Sequence, residues 1–120
     1  MKKPIAASEG LSAFDVVVVP FPYADRLAEK KRPALVVSNA ATHDEYGLVW
    51  LVMITSAVNP RWECDVEISD LAVAGLPAPS VIRPVKIATV DAARIVRRIG
   101  RMSTADVKDV RAAMRVLVGL

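Results

Sequence analysis

Short apolar runs rich in β-branched residues alternate along the chain with polar or proline-bearing breaks, and helical spacing emerges only near the C-terminus. Phe14 to Pro20, with four consecutive valines, predicts a strand. Pro20 and Pro22 cannot donate to a ladder, so that strand must end or become an edge there. The polar stretch from Tyr23 to Lys31 predicts a mobile loop. Further strands are expected at Pro33 to Asn39, at Tyr46 to Thr55 (apolar on both faces, hence central) and, briefly, at Asp65 to Ile68. Ser69 to Gly75 predicts one or two helical turns, started by Ser69 and ended by a left-handed Gly75. Leu76 to Pro79 is an extended connection. Ser80 to Arg83, Lys86 to Val90 and Ile95 to Met102 complete the strands, with a turn at Asp91 to Arg94.

The last element is a helix from Thr104 to Val118. Ser103 and Asp106 have the spacing of a capping box. Val107, Val110, Met114, Leu117 and Val118 form one apolar stripe, with Lys108, Arg111 and Arg115 facing away. Strands that do not alternate with helices predict a mainly-β (α+β) barrel with a small helical insert and a terminal helix.

At 120 residues the chain has the length of one domain, and 53% hydrophobic against 24% charged residues excludes a disordered chain. The single cysteine, Cys64, cannot form an internal disulfide. The longest apolar run, Leu48 to Ile54, is far short of the ~20 residues of a membrane-spanning helix. The basic opening Met1-Lys2-Lys3 lacks the apolar segment of a secretory signal, so residues 1–12 are read as a flexible N-terminus, residues 13–120 as the domain, and the location as cytoplasmic. The net charge of +3 is uneven: residues 81–120 hold nine Lys/Arg against three Asp/Glu. A basic C-terminal third suits a polyanion or merely a solvated face.

Several segments together resemble a known family. They are Asp15 to Pro22, Lys30 to Ser38, Met53 to Ser56, Asp70 to Leu76, Pro79 to Pro84, Lys86 to Asp91 and Arg98 to Ser103. Their order and spacing resemble the MazF/PemK toxins of bacterial type II toxin–antitoxin systems over residues 14–118. The resemblance implies an SH3-like barrel and a homodimer. It also implies metal-independent, sequence-selective cleavage of single-stranded RNA, and a cognate antitoxin segment that covers the RNA groove.

Such cleavage must deprotonate a 2′-hydroxyl, neutralise the five-coordinate phosphorus and release a 5′-oxygen. Arg32 matches the family's catalytic arginine, and a guanidinium grips phosphate oxygens in bidentate fashion. Thr55 matches the active-site threonine, with Ser56 adjacent. Arg83 matches a second catalytic arginine of the PemK branch. There an acidic residue follows two positions later; here it is Val85, which leaves Asp65, Asp91 or Asp25 as substitutes. Lys30, Lys31, Arg61 and Lys86 are further candidates for RNA contact. Trp62 has three readings: base stacking, a dimer contact, or packing at the barrel mouth. Trp50 is expected in the core. His43, the only histidine, is expected to be exposed and idle. Arg97, Arg98 and Arg101 read equally as a phosphate track or as outward strand residues. No metal-ligand spacing is present, and no cofactor is expected. The rival readings are a catalytically impaired barrel that binds RNA or antitoxin, and a gyrase-directed toxin of the CcdB type.

Overall fold

A computed structural model of the chain describes residues 10–20 and 30–120. Most of the expected Tyr23 to Lys31 loop lies outside these residues. Six strands make one antiparallel sheet: β1 Asp15–Pro20, β2 Lys31–Val36, β3 Leu48–Ser56, β4 Val66–Glu67, β5 Ser80–Asp91 and β6 Arg97–Arg101. Their spatial order is β4-β5-β3-β2-β1-β6, a curled half-barrel whose two end strands do not pair among the described residues. Three helices accompany it: α1 Ala40–Tyr46, α2 Leu71–Ala74 and α3 Thr104–Val118. No described helix is long and apolar enough to cross a membrane.

Alternation along each strand feeds two apolar clusters, one per face. Val17, Val19, Ala34, Val36, Val49, Leu51 and Met53 pack on one face with Leu11 and Ile95. Val16, Leu35, Val52, Ile54 and Ile82 pack on the other, against Ala74 of α2 and Val110 of α3. Leu11 is fully buried, and Gly10 O accepts a bond from Arg98, so the packed unit begins before residue 13.

The strand expected at 80–83 and the one expected at 86–90 are a single element. Met53 pairs with Arg83 and Val52 with Ile87, so Pro84, Val85 and Lys86 have no partner on β3 and form a bulge. Proline, lacking an N–H, suits that place. The sequence 40–46 is helical, not extended or looped. Asn39 caps it through Thr42 N, and Gly47 ends it at φ 67°. In α2 the capping side chain is Asp70, bonded to Val73 N, and not Ser69. Ser69 instead donates its N–H and its hydroxyl to Asp106, each at 2.8 Å. Asp106 N is bonded to Ser103 Oγ, so the expected cap of α3 is present, while its carboxylate ties the helix start to the segment before α2.

Trp50 is not in the core: it is 49% exposed. It lies on the face that α3 covers, but the helix packs against that apolar cluster only as far as Met114. Met114 is half-buried, and Leu117 and Val118 are exposed, so the apolar stripe is only half used. An open groove of about 400 Å³ remains between Trp50, Phe14, Met114, Val118 and Leu120.

The end of α2 rests directly on β6. A Cβ on Gly100 would sit inside the van der Waals envelope of the Ala74 and Val73 backbones, and one on Gly75 inside that of Ile99. Gly100→Ala should therefore lower the unfolding free energy by about 1–3 kcal/mol, the usual cost of overpacking, seen as a lower urea midpoint at unchanged slope.

Candidate active site

The sheet register brings the chemistry together. Val19 pairs with Arg32 on β1–β2, and Ala34 pairs with Met53 on β2–β3. The paired ladder of β2 and β3 ends at Ala34 and Met53; counted on by two positions, its register aligns Arg32 with Thr55. Met53 faces Arg83, Thr55 faces Val81, and Val81 faces Glu67 on β4. Residues directly opposite share a face. Arg32, Thr55, Arg83 and Glu67 thus emerge on the side of Ala34 and Met53, at the end of the sheet where β3 enters the loop to β4.

Arg32 and Thr55 are half-buried there, and Lys30, Lys31 and Ser56 are exposed. Thr55 Oγ1 accepts the Asn59 side-chain amide at 2.7 Å, which leaves the hydroxyl proton available to a ligand. Asn59 is a residue that sequence reasoning missed; its partner is defined only once the loop folds back, held by Asn59 N to Ser56 O and Ala57 N to Pro79 O. Glu67 was missed too, since only the register sets it in this row; it meets Arg61 at 3.4 Å, both side chains being largely exposed.

Arg83, expected at the phosphate, is buried. Its Nε and Nη2 donate to Asp65 Oδ1 and Oδ2 at 2.9 and 2.8 Å, and Nη2 also donates to Pro60 O at 2.9 Å. The guanidinium carbon lies 4.1 Å from the centroid of the Trp62 ring. Lys86, exposed on the bulge, has its Nζ 5.6 Å from the same centroid. Trp62 itself is 40% exposed.

Asp65 is no free base. Arg83 takes both its oxygens, and Trp62 N donates to Oδ2 at 2.9 Å. These bonds hold its pKa below the ordinary 3.8, the hydrogen bond from Arg83 outweighing burial. The Asp65 carboxylate in turn raises the Arg83 pKa. Asp91 pairs with Leu48 at the far end of β3, roughly 25 Å along the strand from Ser56. Asp25 lies outside the described residues. Val85 is half-exposed on the bulge.

Other expectations fall elsewhere. His43 is buried, not exposed: α1 turns it inward, with its Nε2 2.7 Å from Ser38 Oγ, which also accepts Trp50 N. Arg98 and Arg101 are outward strand residues engaged by the buried Asp15 at 3.2 and 3.3 Å. Among the described residues, no three His, Cys, Asp or Glu side chains are grouped as metal ligands.

Removing one partner of a buried ion pair strands the other, at a cost of about 3–5 kcal/mol, so Arg83→Met should be strongly destabilised at pH 7. The sign follows from a depressed folded-state pKa. The Asp65 contribution is complete above its unfolded value of 3.8 and is lost as pH falls through the lower folded value. The stability gap between wild type and Asp65→Asn should hold from pH 8 to 5 and narrow below pH 3.8, read by urea unfolding at each pH.

Comparison with known proteins completes the picture. The endoribonuclease in complex with its cognate antitoxin from a mycobacterial species superposes with a TM-score of 0.72 at 19% identity, over 92% of this chain and 97% of that one. MazF from Deinococcus radiodurans gives 0.72 at 23% identity, with the same coverage. The Mycobacterium tuberculosis toxin MazF-mt6 gives 0.70 at 21%, over 88% and 97%. These likenesses establish the fold. None of the curated proteins matches the chain in sequence at a significant level. The family model of the PemK-like, MazF-like toxins of type II toxin–antitoxin systems matches residues 12–118, nearly the whole chain, and to that family the protein belongs.

Proposed function

We propose that the protein is an endoribonuclease that cleaves single-stranded RNA sequence-selectively and without a metal ion. What supports this is the β2–β3 register, which, counted on from Ala34 and Met53, aligns Arg32 with Thr55 at the open sheet end. The 2′-oxygen attacks phosphorus as its proton passes to solvent water, the bond from phosphorus to the 5′-oxygen breaks, and that oxygen takes up a proton from water. The products are a 2′,3′-cyclic phosphate and a 5′-hydroxyl. Arg32 meets the charge that builds on the phosphoryl oxygens. Thr55, its acceptor side held by Asn59, donates to the phosphate or aligns the 2′-hydroxyl. Lys30, Lys31, Ser56, Arg61 and Lys86 line the approach of the backbone, a contact set that weakens with salt.

With Asp65 locked and Val85 in the position of an acid, the proposed catalysis rests on charge stabilisation and alignment, not on a carboxylate beside Arg83. The protein is further proposed to act in the cytoplasm as a homodimer restrained by an antitoxin segment. Exposed Val116, Leu117, Val118 and Leu120 at the end of α3 support a protein contact, and the similar mycobacterial endoribonuclease is in complex with its cognate antitoxin.

Purified protein should cut a long single-stranded RNA in the presence of a chelator. Arg32→Ala should lose at least about two orders of magnitude in rate, the usual cost of one transition-state donor. Undiminished cleavage by the folded variant would reject the assignment of Arg32. Binding of RNA by wild type without cleavage would favour the impaired-barrel reading, and blocked DNA supercoiling with intact RNA the gyrase reading.

A further inference from the structure

Trp62 combines a partly exposed ring with a rigid backing, the Arg83 guanidinium. Its backbone is pinned at both ends, with Trp62 N bonded to Asp65 Oδ2 and Asp65 N to Trp62 O. Arg83 fixes the turn two residues earlier through Pro60 O and lies against the indole face. Because the Arg83 side chain is only 8% exposed, the face it touches is covered, and the exposure of Trp62 belongs to the remainder of the ring. A ring serving only the core would be buried.

The same loop carries Asn59, which holds the Thr55 hydroxyl. Arg83 stands opposite Met53, two residues from Thr55 on β3 and so ~7 Å along the strand. The ring is therefore placed for a nucleotide neighbouring the one being cut.

We infer that Trp62 is a stacking platform for an unpaired nucleobase, and that the Asp65–Arg83 pair is its pedestal. Arg83 is then a positioning residue that does not touch the scissile phosphate. This rests on the RNA reading above and adds to it which part of the substrate the loop recognises. Stacking on a pre-set ring avoids the entropy of ordering the side chain on binding. The exposed Lys86 ammonium, 5.6 Å over the same ring, moves off it to meet the phosphate of the stacked nucleotide.

The test separates binding from chemistry. The chain has two tryptophans, so in a Trp50→Phe background Trp62 is the only one. A single-stranded RNA with every 2′-oxygen methylated cannot cut itself, and it should quench Trp62 fluorescence saturably. Trp62→Leu should raise the Kd for that RNA roughly 5- to 150-fold, and Trp62→Phe, which keeps a stacking face, by less than about threefold. Both substitutions are at a partly exposed site and spare the ion pair. Arg83→Lys, in preparations that keep the parental near-ultraviolet circular dichroism, should raise Kd while holding the single-turnover rate at saturating RNA within about threefold.

RNA binding without quenching, and with Kd unmoved in Trp62→Leu, would overturn the platform. Dissociation of a dimer by Trp62→Leu with Kd unmoved would do the same. A saturated rate more than about a hundredfold lower in Arg83→Lys, at unchanged Kd, would return Arg83 to the reacting phosphate. Failure of wild type to bind any single-stranded RNA would sink the RNA reading itself, a result distinct from cleavage that proceeds without involving Trp62.

Discussion

The antiparallel ladder through β2, β3 and β5 is the constraint on which the site depends. Side chains alternate with a period of two, so a slip of one residue would send Arg32 or Thr55 to the face that α3 covers. The register is held by burial on both faces. Ala34, Leu51 and Met53 are buried on one side, and Leu35, Val52 and Ile54 on the other. Neither set tolerates exchange, because α2 and α3 cover only the second. The apolar core thus does chemical work at a distance: it decides which polar residues of three strands share a surface.

The bulge at Pro84 to Lys86 is the one break in that ladder, and it lies immediately after Arg83. It lets β5 carry Arg83 against Trp62 and then bring the Lys86 ammonium over the same ring. A regular strand would have opposed these residues to β3 in sequence and left no projecting segment. Bulges commonly re-aim side chains near functional sites, and the geometry here is of that kind.

Much of the fold could be read from the residues, for identifiable reasons. The valines of β1 and the two-faced apolar run of β3 leave little choice but strand and centre, and Pro84 marks the interruption of β5. The helix α1 was not legible because Ala40 to Tyr46 has no apolar period. Its only signals were the cap Asn39 and the exit Gly47. The exposure of Trp50 and the burial of His43 depend on how far α3 packs against the sheet and how α1 turns, neither of which is local. The family resemblance supplied the candidates Arg32, Thr55 and Arg83. It did not supply the Asp65–Arg83 bond, which spans 18 positions and exists only through β4–β5 pairing.

That bond separates the two arginines physically. Arg83 is desolvated and matched by a carboxylate at 2.8 Å, so at longer range the pair is nearly a neutral dipole and offers little field to a phosphate. Arg32 is half-buried on the rim, with exposed Lys30 and Lys31 preceding it. A transition state that gains negative charge is stabilised by a cation held at the reacting phosphate, while a base needs only a flat and immobile surface. A guanidinium neutralised by Asp65 is suited to the second task. A guanidinium on the rim, in line with Thr55, is suited to the first.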